Sequence, residues 1–269
     1  MGWRSSCLRK WGAYAITARM AATAPFSEGP RFLLIFPLRF LRVAVLLSVW
    51  RVILSGRGAV SGMTLQQVLT YTLISEVFAN QFACRTEVDS AFWDGSITRC
   101  YLRPIGVYAQ FASEMVGRWI PGLLLFSLPL VLLAPILGVS GLPASALAGG
   151  LFVMSLVLAA WVGTALDYLI CALAIAMEWH PWAIGNVRAA MGSLLSGALL
   201  PLPLLPFGIG RVFEWLPFAA MASAPLQIYT GTGHPVPLLA MQAAWGMVLW
   251  PLAARAWTST RERMLSYGG

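Results

Sequence analysis

Apolar stretches of roughly 20 residues recur along the chain, separated by short polar or proline-containing segments, and each can form a membrane-spanning helix. The pattern predicts an all-α membrane protein with six transmembrane helices. The fourth stretch is longer than a bilayer needs, so we expect it to be tilted or to extend into the cytosol. The predicted spans cover residues 32–54, 65–84, 119–137, 144–177, 183–205 and 236–257.

Composition supports a membrane protein. Of the 269 residues, 59% are hydrophobic and only 10% are charged, against roughly a quarter charged in soluble domains. This balance excludes a soluble enzyme, a disordered tail and a nucleic-acid-binding domain. The net charge of +8 does not restore a nucleic-acid partner, because most of the charges lie close to the ends of apolar segments.

The distribution of basic residues sets the orientation. Placing the amino terminus in the cytosol leaves fifteen of the eighteen Lys and Arg residues on that side, with Arg51, Arg57 and Arg211 outside. The positive-inside rule therefore predicts that both termini are cytosolic. Residues 1–30 are predicted to form an amphipathic segment on the cytosolic membrane surface, residues 31–257 the six-span domain and residues 258–269 a cytosolic tail. A frayed amino-terminal tail is the alternative.

Two regions depart from simple spans. The cytosolic connection at 85–118 mixes charges with aromatic residues, and Gly95 interrupts it. This pattern predicts a short amphipathic helix, a tight turn and a second short segment. Residues 201–237 hold seven of the seventeen prolines. Proline breaks helices, and backbone freed at membrane depth must be buried or face water. We therefore expect a broken, partly re-entrant segment on the outer side after the fifth span.

These regions also carry motifs of a known family. The first motif lies at the end of the fifth predicted span and after it, in the stretches LLSGALLPLPLLP and EWLPFAAMASAPLQIYTG. The residues of this motif are Ser196, Gly197, Pro201, Leu202, Pro206, Leu216, Pro217, Phe218, Pro225 and Gly231. WDGSITRCYLRPIG contains Leu102, Arg103 and Pro104, and GMTLQQVLTYTL contains Tyr71. Over most of residues 30–257 the chain resembles a type-2 export permease of the ATP-binding-cassette transporters, in a bacterial six-span branch with largely unassigned substrates. Arg39 and Arg42, inside the first stretch, depart from that pattern.

The resemblance implies a half-transporter in the bacterial cytoplasmic (inner) membrane. Two permease chains, identical or related, would pair around a path, and ATP-binding-cassette ATPase subunits would bind ATP and Mg on the cytosolic side. We expect no cofactor on this chain. A phosphate-binding loop needs Gly-rich backbone followed by Lys, and the only lysine, Lys10, has no such loop around it. The permease is therefore not expected to be an enzyme itself.

The cytosolic connection is the leading functional candidate. An amphipathic segment with charges of both signs suits a groove of the ATPase and could receive its motion. The alternative is a solvated loop whose arginines only set topology. The predicted ATPase-coupling residues are Glu87, Asp89, Phe92, Trp93, Asp94, Arg99, Arg103 and Pro104.

Two carboxylates lie inside predicted spans, where a charge costs at least about 2.5 kcal/mol and such residues usually face a cavity or a partner. Glu76 belongs to a polar stripe on the second span. It either contacts substrate or pairs with Arg39 or Arg42. The predicted translocation-path residues are Tyr71, Thr72, Glu76, Asn80 and Asp167.

The fifth predicted span carries a row of small residues at intervals of four, which lets helices approach closely. In the resembled family this span helps to join the two permeases, and packing within one chain is the alternative. The row is Gly185, Ala189, Ser193 and Gly197. His180 and His234, each beside a proline, are predicted to be loop residues rather than metal ligands.

Two other classes of function compete with the exporter. An ion-coupled secondary transporter would use Glu76 or Asp167 as proton sites, although such carriers usually show internal repeats and we find none. A membrane enzyme would need convergent catalytic groups, which the sequence does not show. The acidic groups in the spans would suit a cationic amphiphile as substrate; an anionic lipid or a peptide is the alternative.

Overall fold

The computed structural model describes residues 2–27, 34–56, 58–103 and 105–266. Most of the described chain is helical, with one short hairpin. The helices are α1 (Gly2–Ser27), α2 (Ile35–Leu54), α3 (Leu65–Val77), α4 (Ala79–Ala83), α5 (Val88–Trp93), α6 (Ile97–Tyr101), α7 (Val107–Gly122), α8 (Leu128–Leu133), α9 (Ala146–Ala176), α10 (Pro181–Leu195), α11 (Ile209–Glu214), α12 (Pro217–Met221), α13 (Ser223–Thr230) and α14 (Pro235–Ser266). The strands are β1 (Ala59–Val60) and β2 (Met63–Thr64), which pair antiparallel before α3.

Three helical stretches of the described chain are long and apolar enough to cross a membrane: Val107–Leu133, Ala146–Ala176 and Pro235–Thr260. They correspond to the predicted third, fourth and sixth spans. The fourth, α9, has 31 residues, or about 46 Å at 1.5 Å per residue, which fits the expectation of an overlong helix. The other predicted spans correspond to α2, to α3 with α4, and to α10, and their membrane crossing stays a prediction.

The third helical stretch begins earlier than predicted. It starts at Val107 rather than near residue 119, and it continues through a π-helical stretch, Leu123–Ser127, into α8. Its first turns carry the polar residues Gln110, Glu114 and Arg118, which along the sequence are typical of a loop. They lie on a helix because its apolar positions, including Phe111 and Met115, are buried. The sixth helix likewise continues through the predicted tail as far as Ser266.

The amino-terminal segment is a helix, α1, that packs along α7. One face of the predicted amphipathic segment carries, at helical spacing, Trp3, Cys7, Trp11, Tyr14 and Ala18. Tyr14 and Ala18 are half-buried, whereas the side chain of Trp11 is 70% exposed; the side chains of Trp3 and Cys7 lie outside the described residues. The two helices are closest at Gly117, where an added Cβ would overlap the backbone of Ala18. The contact therefore depends on a glycine.

Gly117→Ala should consequently loosen α1. The overlap falls on backbone rather than on a flexible side chain, so the two helices must separate. We expect faster proteolysis within residues 2–27 and a loss of about 1–3 kcal/mol of stability. Gly150→Ala in α9 is the matched control, because nothing lies within 4 Å of a Cβ there. Equal proteolysis and melting temperatures for the two variants would contradict the packing of α1 on α7.

The cytosolic connection forms two short helices, α5 and α6, as the pattern predicts. Gly95 lies in the turn between them at a φ of 74°, a backbone conformation that favours glycine. Val88, Phe92 and Ile97 are buried in a cluster with residues of α7, α9 and α14, among them Phe111, Tyr168, Ile175 and Trp257. The connection is thus attached to the helical bundle rather than surrounded by solvent.

The proline-rich region is broken, as expected. The helix before it, α10, ends at Leu195 rather than near residue 205. Its 15 residues span only about 22 Å at 1.5 Å per residue. Two single-turn 3₁₀ helices, Leu202–Leu204 and Pro206–Gly208, follow and lead to α11. Proline stands at or next to the start of both 3₁₀ helices and of α12, and Gly231 ends α13 at a φ of 68°.

The broken region is held by specific contacts and not by helix continuity. All residues of α13 are buried, including Pro225, and α13 packs against α9, α3 and α14. The Tyr71 hydroxyl donates a 2.8 Å hydrogen bond to the carbonyl oxygen of Gly197, and the Ser223 amide donates one of 2.9 Å to that of Ser196. Backbone freed by the end of α10 is therefore satisfied inside the protein, as membrane depth requires. Re-entry of this region from the outer side stays a prediction.

Candidate functional site

A cavity of about 340 Å³ lies between α3, α4, α9, α10 and α12. Its walls are largely apolar, and small residues of α10 form one side. Five charged side chains also reach it: Arg42, Glu76, Arg85, Asp167 and Arg188. Besides these, the lining residues are Ser75, Ala79, Phe82, Ala83, Gly163, Leu166, Ile170, Gly185, Ala189, Gly192, Ser193, Ser196, Ala198, Leu199, Phe218 and Met221. An apolar cavity with a few convergent charges is the usual form of a small-molecule site.

Three charged residues from three helices lie together at one side of this cavity. Arg188 on α10 lies between Asp167 on α9 and Asp89 on α5. Its Nε is 3.1 Å from Asp167 Oδ1, and its Nη2 is 3.8 Å from Asp89 Oδ2. The side chains of Arg188, Asp89 and Asp167 are 12%, 0% and 3% exposed. Arg188 thus joins α5, in the connection predicted to be cytosolic, to α9 and α10, which line the cavity. We refer to these three residues as the charged triad.

Neighbouring polar groups hold the charged triad in place. The amide of Thr86 donates a 2.9 Å hydrogen bond to Asp167 Oδ2, and its hydroxyl donates to the same oxygen. Arg188 Nη2 lies 3.1 Å from the sulfur of Cys171, one turn further along α9 from Asp167. Thr86, two residues before the start of α5, helps to fix Asp167, so both ends of the link between α5 and α9 are anchored.

The triad has one more carboxylate than guanidinium. Within the described chain, neither oxygen of Asp89 accepts a hydrogen bond, and only the ion pair with Arg188 offsets its charge. Burying such groups is expensive, and removing one partner of a buried pair typically costs about 3–5 kcal/mol. The arrangement therefore depends on Arg188, which alone bridges the two acids.

Glu76 is paired with a residue of α2. Arg42 Nη2 lies 2.9 Å from Glu76 Oε1, while the guanidinium of Arg39 lies 4.2 Å from the centre of the Phe126 ring. Glu76 also lines the cavity. The two interpretations of Glu76 are thus compatible, because one carboxylate can pair with Arg42 and border the cavity.

Glu76→Gln separates these two roles. If Glu76 matters to the path, we expect export to change while ATPase binding persists; if its role is structural, expression or melting temperature should fall. Arg42 is solvent-exposed over 59% of its side chain, so losing its partner there should cost no more than about 1 kcal/mol. Thr72→Val, one turn away but outside the cavity lining, is the control. Unchanged export together with unchanged stability would rule out both roles.

Three of the predicted path residues, Tyr71, Thr72 and Asn80, do not line the cavity. Tyr71 is buried against the turn at Gly197, and Thr72 donates its hydroxyl to the carbonyl oxygen of Val68 on its own helix. Asn80 is exposed, with its amide against Gly122. The polar stripe is divided because α3 ends at Val77 and α4 begins at Ala79, so the residues at spacing four do not share one straight face. Ser75, which neighbours the stripe, does line the cavity.

The predicted coupling residues separate into two groups. Asp89 and Phe92 face the bundle and are buried, whereas Asp94, Arg99 and Arg103 are exposed and Trp93 is 36% exposed. Glu87 pairs with Arg85 at 3.1 Å, and Arg103 lies 3.9 Å from Glu114 of α7. Pro104 lies outside the described residues. A segment with one anchored face and one accessible face is what a docking element needs.

Asp94 is the exposed acid at the turn between α5 and α6. The Ser96 side chain and the Ser96 amide, which donates a 2.8 Å hydrogen bond to Asp94 Oδ1, lower the pKa of Asp94 below its ordinary value. The carboxylate is therefore ionised throughout the neutral range and is held in one orientation by the turn. That is the geometry of a group available for a charge-assisted contact with another protein.

Only three of the four residues in the predicted interface row share one face of a helix. Gly185, Ala189 and Ser193 lie on α10 and line the cavity, with Ala189 and Ser193 exposed. Gly197 does not extend this face, because α10 ends at Leu195 and Gly197 is buried at a φ of 77° below the Tyr71 hydroxyl. A Cβ at this glycine would lie 2.9 Å from Leu202. The family motif residue Gly197 is explained by a turn and not by helix packing.

Arg188 is the main functional residue that the sequence reasoning missed. It was counted only as a topology-setting charge near the start of the fifth span. The available signal was its position five residues inside that predicted apolar stretch, where an arginine needs a partner. His180, predicted to be a loop residue, precedes α10, and its Nδ1 accepts a 3.3 Å hydrogen bond from the Trp182 amide as the helix N-cap.

Three helical stretches that are long and apolar enough to cross a membrane indicate a multi-pass membrane protein. The comparison with family models identifies which one: residues 23–268 match the family described as ABC-2 family transporter protein. This match covers most of the chain, and the protein belongs to the ABC-2 transporter family. Members are transport permeases that normally work with ATP-binding-cassette ATPase partners and are typically not catalytic themselves. Comparison with curated proteins gives no significant match.

Proposed function

We propose that this chain is the permease subunit of an ATP-driven exporter and that the cavity is part of its translocation path. A separate ATPase on the cytosolic face would bind ATP and Mg, and this chain would hold no cofactor. The observation that carries the proposal is the charged triad, because Asp89, Arg188 and Asp167 connect a cytosolic helix directly to the cavity wall.

The mechanism follows from which parts of the connection are anchored. The exposed side of α5 and α6 presents Trp93, Asp94 and Arg99 to the cytosol. The buried side carries Asp89 and Phe92 into the bundle. An ATPase that grips the exposed side and closes on ATP would displace α5 as a unit. Because Asp89 is paired with Arg188, the displacement would reach α10 and α9 and change the shape of the cavity. This is alternating access driven from outside the membrane domain.

A second permease chain would complete the path. Helix α10 packs mainly on α5 and α12, and its small residues Gly185, Ala189 and Ser193 border an open cavity. Small residues allow close helix contact, so a second copy or a related chain could cover this side. We place the complex in the bacterial inner membrane with both termini cytosolic, in line with the distribution of Lys and Arg.

An ion-coupled secondary transporter is the second candidate, and one observation favours it: two buried carboxylates of the triad share a single arginine. Against it, Asp167 and Glu76 are each within 3.1 Å of an arginine, so a proton carrier at either position would have to release its ion pair in every cycle.

Purification and reconstitution separate the two functions. An exporter permease should copurify with an ATPase, and vesicles holding both should transport in an ATP-dependent manner when a proton ionophore is present. Transport abolished by the ionophore and indifferent to ATP would support the ion-coupled carrier. A protein that binds no ATPase and transports only on an ion gradient would contradict our proposal.

A further inference from the structure

The charges that line the cavity differ in how much of their binding capacity is already used. Both acids are committed: Glu76 to Arg42, and Asp167 to Arg188 and Thr86. Their side chains are 6% and 3% exposed. A cationic ligand would have to displace an arginine from either acid, and at Asp167 this would break a buried ion pair, which is costly. The acids therefore do not provide the binding site that their positions in the sequence suggest.

The arginines retain free capacity. A guanidinium has five N–H donors. Among the described residues, Arg42 forms one ion pair, which uses a single oxygen of the Glu76 carboxylate. The Arg42 side chain is 59% exposed. Arg85 pairs with Glu87 through Nε, and 48% of its side chain is exposed. These two side chains reach the same cavity from α2 and from the connection between α4 and α5. The charged groups of the cavity that remain available to a ligand are therefore hydrogen-bond donors with a positive charge.

The rest of the wall is apolar. Phe82, Leu166, Ile170, Phe218 and Met221 line the cavity beside these arginines. A wall of this kind favours a hydrocarbon or aromatic body, at roughly 25 cal/mol per Å² of apolar surface removed from water. The volume of about 340 Å³ lies within the range of small-ligand pockets.

We infer that the cavity binds an anionic amphiphile, a molecule with a phosphate or carboxylate head group and an apolar body. The head group is bound by Arg42 and Arg85 through charge-assisted hydrogen bonds. The apolar body lies against Leu166 and Ile170 of α9 and Phe218 and Met221 of α12. This assignment deepens the proposed function. It rests on that function in one respect only, namely that the bound molecule is taken to be the exported substrate.

Binding to the purified permease in a neutral detergent tests the assignment without the ATPase. Three probes isolate the chemistry: dodecyl phosphate, dodecyltrimethylammonium with the same chain and the opposite charge, and inorganic phosphate with no chain. We expect saturable binding of dodecyl phosphate, measured by calorimetry, and at least about tenfold weaker binding of the other two. Tighter binding of dodecyltrimethylammonium would overturn the charge assignment. Equal binding of inorganic phosphate would overturn the amphiphile.

Variants of the two arginines localise the site. Arg85→Gln should weaken the binding of dodecyl phosphate at least about tenfold, because a charged hydrogen-bond donor is lost. Arg42→Gln is combined with Glu76→Gln, so that no carboxylate is left buried without its partner, and should weaken binding similarly. Arg255→Gln, an exposed arginine of α14 away from the cavity, is the matched control. Unchanged affinity in both cavity variants, each with a normal melting temperature, would overturn the assignment.

Copurification with an ATPase and ATP-dependent export are measured separately on the same preparations. If dodecyl phosphate binds at Arg42 and Arg85 but no ATPase copurifies, the ligand class stands and the exporter function falls. If the ATPase copurifies and export proceeds but only cationic amphiphiles bind, the ligand class falls and the function stands.

Discussion

Arg188→Gln abolishes export and lowers the melting temperature of the permease; this is the largest effect that we expect from a single substitution. The change leaves Asp89 and Asp167 buried beside each other without a cation. Losing one partner of a buried ion pair typically costs about 3–5 kcal/mol. Thermal unfolding in detergent and ATP-driven transport in vesicles measure the two effects. Arg255→Gln, exposed on α14, should change neither.

A neutral version of the triad separates stability from coupling. Combining Arg188→Gln with Asp89→Asn and Asp167→Asn removes all three charges and keeps the side-chain shape at the two acidic positions. We expect most of the lost stability to return, because no uncompensated charge is left. Export should stay abolished, because the ion pairs between α5, α9 and α10 are gone. Full export by the stable triple variant would contradict a coupling role for the triad.

Asp94→Arg should prevent the permease from copurifying with its ATPase, with loss of export but normal membrane insertion. Asp94 is exposed and ionised, and it is oriented by the Ser96 amide at the turn between α5 and α6. Like charges brought together at a docking contact typically cost several kcal/mol. The fold should survive, since the residue packs against no part of the bundle.

The control for Asp94→Arg is Glu262→Arg, the same reversal at an exposed position of α14. Arg103→Glu is a poorer test, because Arg103 lies 3.9 Å from Glu114 and borders α1 as well as the α5–α6 surface. Asp94→Arg with full ATPase binding and full export would show that the connection does not dock.

Periodicity and composition predicted the helical elements well where one helix is continuously apolar. The predicted 144–177 and the observed Ala146–Ala176 differ by two residues or fewer at each end, because that helix is apolar along most of its length and Asp167 is its one charged residue. The start of α7 was missed for the opposite reason. Gln110 and Glu114 look like loop residues along the sequence, yet α7 carries them beside buried apolar positions.

The site could be predicted only in outline. The sequence pointed to Asp167 and to the 87–103 connection, but it could not show that Asp89 faces inward and Asp94 outward. Both are acids on one short segment, and their difference arises from how α5 packs on α9. The sequence did not mark Arg188 as a site residue, because a single arginine near a span end satisfies the positive-inside rule equally well in water or in an ion pair. The end of α10 at Leu195 depends on Tyr71, 126 residues away in sequence from Gly197.

The central claim is that motion at α5 reaches the cavity through the charged triad. Ser193→Cys places a thiol on the exposed cavity side of α10, and its reaction rate with a water-soluble maleimide can be followed in the complex with the ATPase, relative to the parent chain. We predict that trapping the ATPase with ATP and vanadate changes this rate severalfold, and that the change disappears in the neutral triple variant, which should still bind the ATPase. An equal ATP-dependent change in both proteins would contradict the claim.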